Sequence, residues 1–95
     1  MIYADNAATT QMSEAAISAI LNCMEETWGN PSSLYGLGQR AKEVLEDARE
    51  RIAACIGASP KEITFTSGGS EADNQAIRSA ALLGAWKGKR HIIST

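Results

Sequence analysis

The sequence has no block of charge of one sign. Its 95 residues carry 9 basic and 11 acidic side chains, which gives a formal net charge of −2. Proteins that bind nucleic acid or anionic membranes usually carry a basic stripe, and this balance argues against both classes. We therefore expect the partner to be a small molecule or another protein, with no nucleic acid and no membrane.

Long hydrophobic runs are also absent. No apolar stretch approaches the roughly 20 residues that cross a bilayer, and the N-terminus lacks the basic, then apolar, then small-residue order of a secretory signal. The sequence therefore predicts a cytoplasmic protein. A chain of 95 residues allows one small core, about half the size of an ordinary α/β domain, so we expect one domain or a part of one.

Residues that ligate metals or exchange disulfides are scarce. Cys23 and Cys55 lie far apart and form no C-x-x-C pair. His91 is the only histidine, and no Cys, Asp or Glu lies near it at ligand spacing. We predict no metal ligand and no redox pair, and we assign His91 no catalytic role. Both thiols are expected to be structural and buried, with Cys55 on the apolar face of a helix.

What is present is a helical pattern that follows a short arm. Residues 1–12 are predicted to form an extended arm, and Ser13 is expected to cap the first helix. Apolar residues at helical spacing predict one buried stripe on that helix: Ile17, Ile20, Leu21, Met24 and Trp28. The turn sequence 29–33 ends it. A second amphipathic helix begins near Gly38 and ends at Gly57, a typical C-cap.

The second half of the chain alternates strand and helix. Glu62–Thr66 and His91–Thr95 are predicted to be short strands. The helix between them carries a stripe of mainly small residues suited to packing against a sheet: Ile77, Ala80, Ala81 and Gly84. The predicted fold class is therefore α/β, with three helices and two short strands.

The turn between the first strand and the third helix is a candidate anion site. Gly68 and Gly69 can adopt backbone angles forbidden to other residues, so their N–H groups can converge on a ligand. Ser70 is expected to be the N-cap, with Asp73 at the third position. Unpaired N–H groups at the positive end of a helix bind phosphate well. A tight connection without a ligand is the alternative interpretation.

Two phosphate-loop templates do not fit the chain. A Walker loop requires Lys and then Ser or Thr after its second glycine, where this sequence has Ser70 and Glu71. Residues 36–41 match the dinucleotide string G-x-G-x-x-A, but the turn sequence 30–33 precedes them where a strand is required. We interpret that match as chance.

Three motifs in this order resemble the N-terminal part of the cysteine desulfurases: residues 3–10, 29–33 and 65–74. These are class V aminotransferase-like enzymes that use pyridoxal 5′-phosphate (PLP). The resemblance spans essentially the whole chain and implies the N-terminal piece of a PLP-dependent transferase of fold-type I. Residues 1–12 would be its arm, and residues 13–95 would be the incomplete start of the large PLP-binding domain.

The resemblance implies a role for the glycine turn. Gly69 and Ser70 align with the pair that binds the PLP phosphate in the family, through their N–H groups and the Ser70 hydroxyl. The segment Asp5–Thr10 and Asn30 are expected near the mouth of the active site. Tyr35 stands where relatives commonly carry His, so this position supports no inference about the substrate.

The resemblance also implies which groups this segment lacks. The family's Schiff-base Lys, the His that stacks on the cofactor, the Asp that pairs with the pyridine nitrogen and the persulfide-forming Cys would all lie beyond residue 95. No catalytic residue is therefore expected here, and the chain alone is expected to be inactive. The full enzyme would be a homo-oligomer that takes sulfur from L-cysteine, leaving alanine and an enzyme persulfide for a sulfur-acceptor protein. A selenocysteine lyase, an aminotransferase and a non-catalytic binding module remain alternatives.

Overall fold

The computed structural model describes residues 1–94 and divides into two compact units, residues 1–63 and the residues from Thr64 onward. The helices, in chain order, are α1 (Glu14–Glu26), α2 (Gly36–Ile56), a short 3₁₀ turn (Pro60–Glu62) and α3 (Gly69–Trp86). The first unit holds α1, α2 and the 3₁₀ turn, and the second holds α3. None of the helices in residues 1–94 is long and apolar enough to cross a membrane.

The arm has neither helix nor strand, as predicted, but it is folded back on itself rather than fully extended. The Ala8 N–H donates to the Asp5 carbonyl at 3.1 Å, which closes a turn. The Tyr3 hydroxyl lies 2.8 Å from the Asp5 carbonyl oxygen and 3.0 Å from that of Thr9. The single hydroxyl hydrogen is shared between these two acceptors, so Tyr3 connects the start of the turn at Asp5 with Thr9 just after it.

Ser13 caps α1 as predicted, because its Oγ accepts a hydrogen bond from the Ala16 N–H at 3.2 Å. The helix ends at Glu26, so Trp28 lies beyond it. The predicted burial of the apolar stripe is wrong, since its exposed fractions run from 42% at Ile17 to 68% at Trp28. Such a stripe is buried only where another element packs against it, and the described part of the chain supplies none.

The turn after α1 packs tightly onto the start of α2. Its own hydrogen bonds run from the Ser32 N–H to Asn30 Oδ1 at 2.9 Å and from the Ser33 N–H to the Asn30 carbonyl at 3.0 Å. Gly38 is buried against this turn. The helix starts at Gly36, two residues before the predicted start at Gly38, and its first helical hydrogen bond runs from the Gln39 N–H to the Tyr35 carbonyl at 3.1 Å.

The C-terminal end of α2 confirms the predicted cap. Gly57 has φ 66° in the left-handed region, and the Ala58 N–H donates to the Ala53 carbonyl at 2.9 Å. Ala41 and Ala53 are the buried apolar residues of residues 1–94, with exposed fractions of 7% and 1%. The core of the first unit is therefore small and lies along one face of α2.

Arg49 ties α2 to the segment that follows the 3₁₀ turn. Its guanidinium donates to the Ile63 carbonyl at 2.5 Å and to a carboxylate oxygen of Glu46 at 3.2 Å. The guanidinium supplies donors in a rigid fork, which suits a carbonyl and a carboxylate at once. This pair of bonds holds the chain against α2 where the first unit ends.

The prediction of two short strands is wrong for residues 1–94, which contain helices, turns and irregular segments but no strand. Glu62 belongs to the 3₁₀ turn, and Ile63, within the first predicted strand, has extended angles of φ −93° and ψ 123°. A strand becomes part of a sheet only when a neighbour completes its backbone hydrogen bonds, and no such neighbour is present there. The second prediction fails for residues 91–94 in the same way, and Thr95 lies outside the described residues.

Candidate functional site

The predicted anion site lies at the start of α3, but Gly68 rather than Ser70 is the N-cap. The Gly68 carbonyl accepts the first helical hydrogen bond, from the Ala72 N–H at 3.2 Å. Ser70 is therefore already inside the first turn of the helix. The prediction that its hydroxyl caps the helix is wrong, because the chain turns helical two residues earlier than the serine pattern suggested.

The glycine pair also differs from its predicted geometry. Gly68 has φ 169° and ψ 178°, which is extended backbone open to any residue, and Gly69 is the first helical residue. Neither has a positive φ in the left-handed region, where only Gly57 and Gly88 lie among residues 1–94. The two glycines leave open space instead, since a Cβ built on either would meet no atom within 4 Å.

The first turn of α3 presents unpaired donors. The N–H groups of Gly69, Ser70 and Glu71 precede the first helical hydrogen bond and have no acceptor among residues 64–94. Ser70 is exposed, and its carbonyl accepts from the Asn74 side-chain amide at 2.8 Å. The structure thus brings Gly69 and Ser70 together as neighbouring donors at the positive end of an 18-residue helix.

Glu71 makes the strongest side-chain contact of this turn. Its Oε2 accepts from the Ser67 N–H at 2.8 Å and from the Ser67 hydroxyl at 2.5 Å. These two hydrogen bonds, the hydroxyl bond first, lower the pKa of the Glu71 carboxyl below its ordinary value of 4.5. The carboxylate is therefore charged at neutral pH and bound to the residue that precedes both glycines.

The contact between Glu71 and Ser67 was not predicted from the sequence. A signal for the contact was present. A Glu at the third helical position commonly reaches back to the backbone just before the helix, as in a capping box. Because the cap was predicted two residues too late, Glu71 was not recognised as that residue.

Several other residues singled out from the sequence belong to the first unit. Asp5–Thr10 and Asn30 belong to the first unit, so their expected place near an active-site mouth stays a prediction. Cys55 lies on an apolar face as predicted, beside Ile52 and Ile56, but it is exposed rather than buried, while Cys23 is half-buried. Within residues 1–94, no cluster of three or more His, Cys, Asp or Glu could hold a metal ion.

Comparison with known proteins identifies the family. The aminotransferase class-V family model matches residues 2–95. The chain is 45% identical over 94 residues to the cysteine desulfurase IscS of Methanosarcina thermophila, which covers 99% of this chain and 23% of that protein. It is 46% identical over 94 residues to the putative cysteine desulfurase IscS 1 of Bacillus subtilis, covering 99% of this chain and 24% of that protein.

A selenocysteine lyase is also among the relatives. The chain is 46% identical over 78 residues to the selenocysteine lyase of Bos taurus, which covers 82% of this chain and 18% of that protein. The chain thus spans about a fifth to a quarter of the length of these curated relatives. The resemblance indicated by the three motifs is confirmed, and because the family model covers residues 2–95, the chain belongs to the class V aminotransferase family.

Proposed function

We propose that the chain is the N-terminal part of a PLP-dependent cysteine desulfurase. The whole enzyme would release sulfur from L-cysteine and give alanine and an enzyme persulfide, as a sulfur source for iron–sulfur cluster assembly. The observation that carries the proposal is the 45% identity to a cysteine desulfurase across 99% of the chain. A cytoplasmic location, a homo-oligomeric state and a sulfur-acceptor protein as partner belong to the same proposal.

The start of α3 fits the phosphate group of PLP, the cofactor of class V aminotransferases in general. Gly69 and Ser70 present unpaired N–H groups, and the space beside Gly68 and Gly69 is open. The exposed Ser70 hydroxyl adds a third donor. Free donors beside open space at a helix N-terminus meet the needs of a dianionic phosphate. When bound, PLP would supply the electron sink for the chemistry of the substrate.

In this proposal, the residues of this chain hold and orient the cofactor. The N–H groups of Gly69 and Ser70 and the Ser70 hydroxyl bind the phosphate, and Asn74 keeps the Ser70 carbonyl occupied on the other side of the turn. None of these groups is a nucleophile or moves a proton to the substrate. The chain alone would therefore have no desulfurase activity, and the reacting groups would belong to the rest of the enzyme.

A selenocysteine lyase is the second candidate, favoured by the 46% identity to the bovine enzyme. Both candidates use the same phosphate contacts in this proposal. The start of α3 therefore does not separate them, and the substrate has to be tested directly.

The test is a chimera in which this chain replaces the matching residues of the Methanosarcina thermophila cysteine desulfurase. We expect the chimera to form alanine from L-cysteine. Ser70→Ala should lower its affinity for PLP about tenfold to a hundredfold, since a hydrogen bond to a charged group is worth about 1.5–3 kcal/mol. Ser70→Thr, which keeps the hydroxyl, should retain the affinity.

Ser79→Ala is the matched control, because Ser79 is an exposed serine of the same helix about two and a half turns further on. It should leave PLP affinity unchanged. Equal affinities for the chimera and its Ser70→Ala variant would remove Ser70 from the site. Because the reacting groups of the chimera come from the desulfurase, the choice between desulfurase and lyase has to be tested on the whole enzyme proposed here, with L-cysteine and L-selenocysteine as competing substrates.

A further inference from the structure

The carboxylate of Glu71, in the first turn of α3, bonds back to Ser67, the residue before Gly68 and Gly69. It accepts both hydrogen bonds that Ser67 can donate, at 2.8 Å from the N–H and 2.5 Å from the hydroxyl. The bonds reach from the first helical turn back to the residue before the glycine pair. With Ser67 bonded to Glu71, the N–H groups that have no acceptor among residues 64–94 include those of Gly69, Ser70 and Glu71.

The turn needs such a contact because it changes conformation between two glycines. Gly68 is extended and Gly69 is helical, and glycine loses more conformational freedom on ordering than any other residue. A second side-chain bond, from the Thr66 hydroxyl to the Gly68 carbonyl at 3.0 Å, reaches the first glycine only. Without Glu71, the hydrogen bonds left around the glycine pair would be this one and the helical bond from the Ala72 N–H to the same Gly68 carbonyl.

We propose that Glu71 is a positioning residue for the phosphate site, because its carboxylate holds Ser67 and so orders the free N–H groups of Gly69 and Ser70 before the cofactor binds. This inference rests on the proposed function, which supplies the ligand. The Glu71 carboxylate would not itself bind the phosphate, because both groups are negatively charged. Its contribution is preorganisation, which raises affinity by removing the ordering cost from the binding step.

Glu71 also has an electrostatic effect, which would oppose phosphate binding. Its lowered pKa keeps the carboxylate charged at neutral pH, and a phosphate at the same helix end would bring a second negative charge near it. If repulsion were the larger effect, removing Glu71 would tighten binding. If positioning is the larger effect, removal weakens binding, so the two are separated by the sign of the change.

The experiment follows the amide resonances of Gly69 and Ser70 in the 95-residue chain by NMR during titration with pyridoxine 5′-phosphate. This compound carries the phosphate but no aldehyde, so it forms no adducts with lysine. Pyridoxine without the phosphate is the ligand control. The variants are Glu71→Ala, Glu71→Gln and Asp73→Ala. Asp73→Ala is the matched control because Asp73 is an exposed acid of the same helix whose side chain makes no hydrogen bond or ion pair among residues 64–94.

Glu71→Ala should weaken binding about tenfold, as expected for losing the bonds that order the turn. Glu71→Gln keeps an oxygen acceptor without the charge, so its affinity should stay within about threefold of the unsubstituted chain. Asp73→Ala should bind at least as tightly as the unsubstituted chain. If affinity falls in Glu71→Ala but not in Glu71→Gln, the cause is the lost hydrogen bonds and not the lost charge.

Amide hydrogen exchange at Ser67 is the second readout and needs no ligand. The Ser67 N–H is bonded to Glu71, so its exchange should accelerate about tenfold in Glu71→Ala and remain slow in Glu71→Gln. Unchanged exchange, or equal or tighter binding in Glu71→Ala, would overturn the inference while leaving the phosphate site in place. No saturable shift in the unsubstituted chain would instead refute the phosphate site itself, and the inference with it.

Discussion

Gly38 of α2 packs directly against the backbone carbonyl of Asn30. A Cβ built on Gly38 would lie 2.5 Å from that oxygen and 2.9 Å from the Ser33 carbonyl oxygen, both shorter than real Cβ contacts. The helix can therefore start under this turn only because Gly38 has no side chain. The Gly36-x-Gly38 string that matches a dinucleotide template is thus explained by packing at its second glycine.

Gly38→Ala should lower the free energy of unfolding of the first unit by about 1–3 kcal/mol, because the added methyl group has to displace backbone rather than a flexible side chain. Gly36→Ala is the control, since a Cβ on Gly36 would meet no atom within 4 Å, and it should be neutral or slightly stabilising. Urea unfolding followed by circular dichroism measures both. Equal stabilities of the two variants would contradict the packing explanation.

Arg49→Lys should destabilise the first unit by about 1 kcal/mol, since a lysine cannot reproduce the fork that donates to both Ile63 and Glu46. Arg51→Lys is the matched control in the same helix. The Arg51 guanidinium lies 3.6 Å from an Asp47 carboxylate oxygen, and its side chain is 79% exposed, so its loss should change stability by less than about 0.5 kcal/mol. The same urea titration compares them, and an equal effect of both substitutions would rule out a special role for Arg49.

Gly57→Ala should cost about 1–2 kcal/mol, because φ 66° places a Cβ too close to the backbone in the left-handed region. Gly57→Asn should cost less, since asparagine tolerates that conformation better than other residues with a side chain. Thermal unfolding of the two variants tests this order. If alanine were tolerated as well as asparagine, the cap would not have the backbone conformation described here.

The Glu71 carboxyl should titrate below its ordinary value of 4.5, and Ser67→Ala should move its pKa back upward by removing the hydroxyl donor. The depressed pKa means that the turn's stabilisation by Glu71 is complete above the ordinary value and is lost as the pH falls through the lowered one. An NMR titration of the side-chain carboxyl carbon measures both pKa values. A pKa that does not rise in Ser67→Ala would show that the hydroxyl bond does not form in solution.

The exposed stripe of α1 should make the isolated chain self-associate at micromolar concentration. Leu21 and Met24 are 53% and 68% exposed, and an open apolar face of this kind recruits another surface. Leu21→Lys should shift the chain toward monomer, whereas Asn22→Lys adds the same charge at an exposed polar position and should not. Sedimentation velocity distinguishes the two, and a monomeric unsubstituted chain would refute the expectation.

Local features of this chain were predictable from its sequence. The Ser13 cap, the termination at Gly57 and the helical pattern of α2 depend on contacts within a few residues, so the residue types alone were sufficient. Membership of the class V aminotransferase family followed from three motifs in order. Gly69 and Ser70 were likewise identified as neighbouring donors at a helix start, although the cap was predicted at Ser70 and lies at Gly68.

Strand formation and the burial of apolar faces depend on elements far away in the sequence, so only the tertiary structure decided them. The segments around Ile63 and Ile92 have the composition of strands, yet they form none in residues 1–94 because a strand needs a neighbour to complete its hydrogen bonds. The α1 stripe has the spacing of a buried face and remains exposed for lack of a covering element. The contact between Glu71 and Ser67 also required the structure, because it depends on where α3 begins, and a shift of two residues in that start changes which side chain reaches the turn.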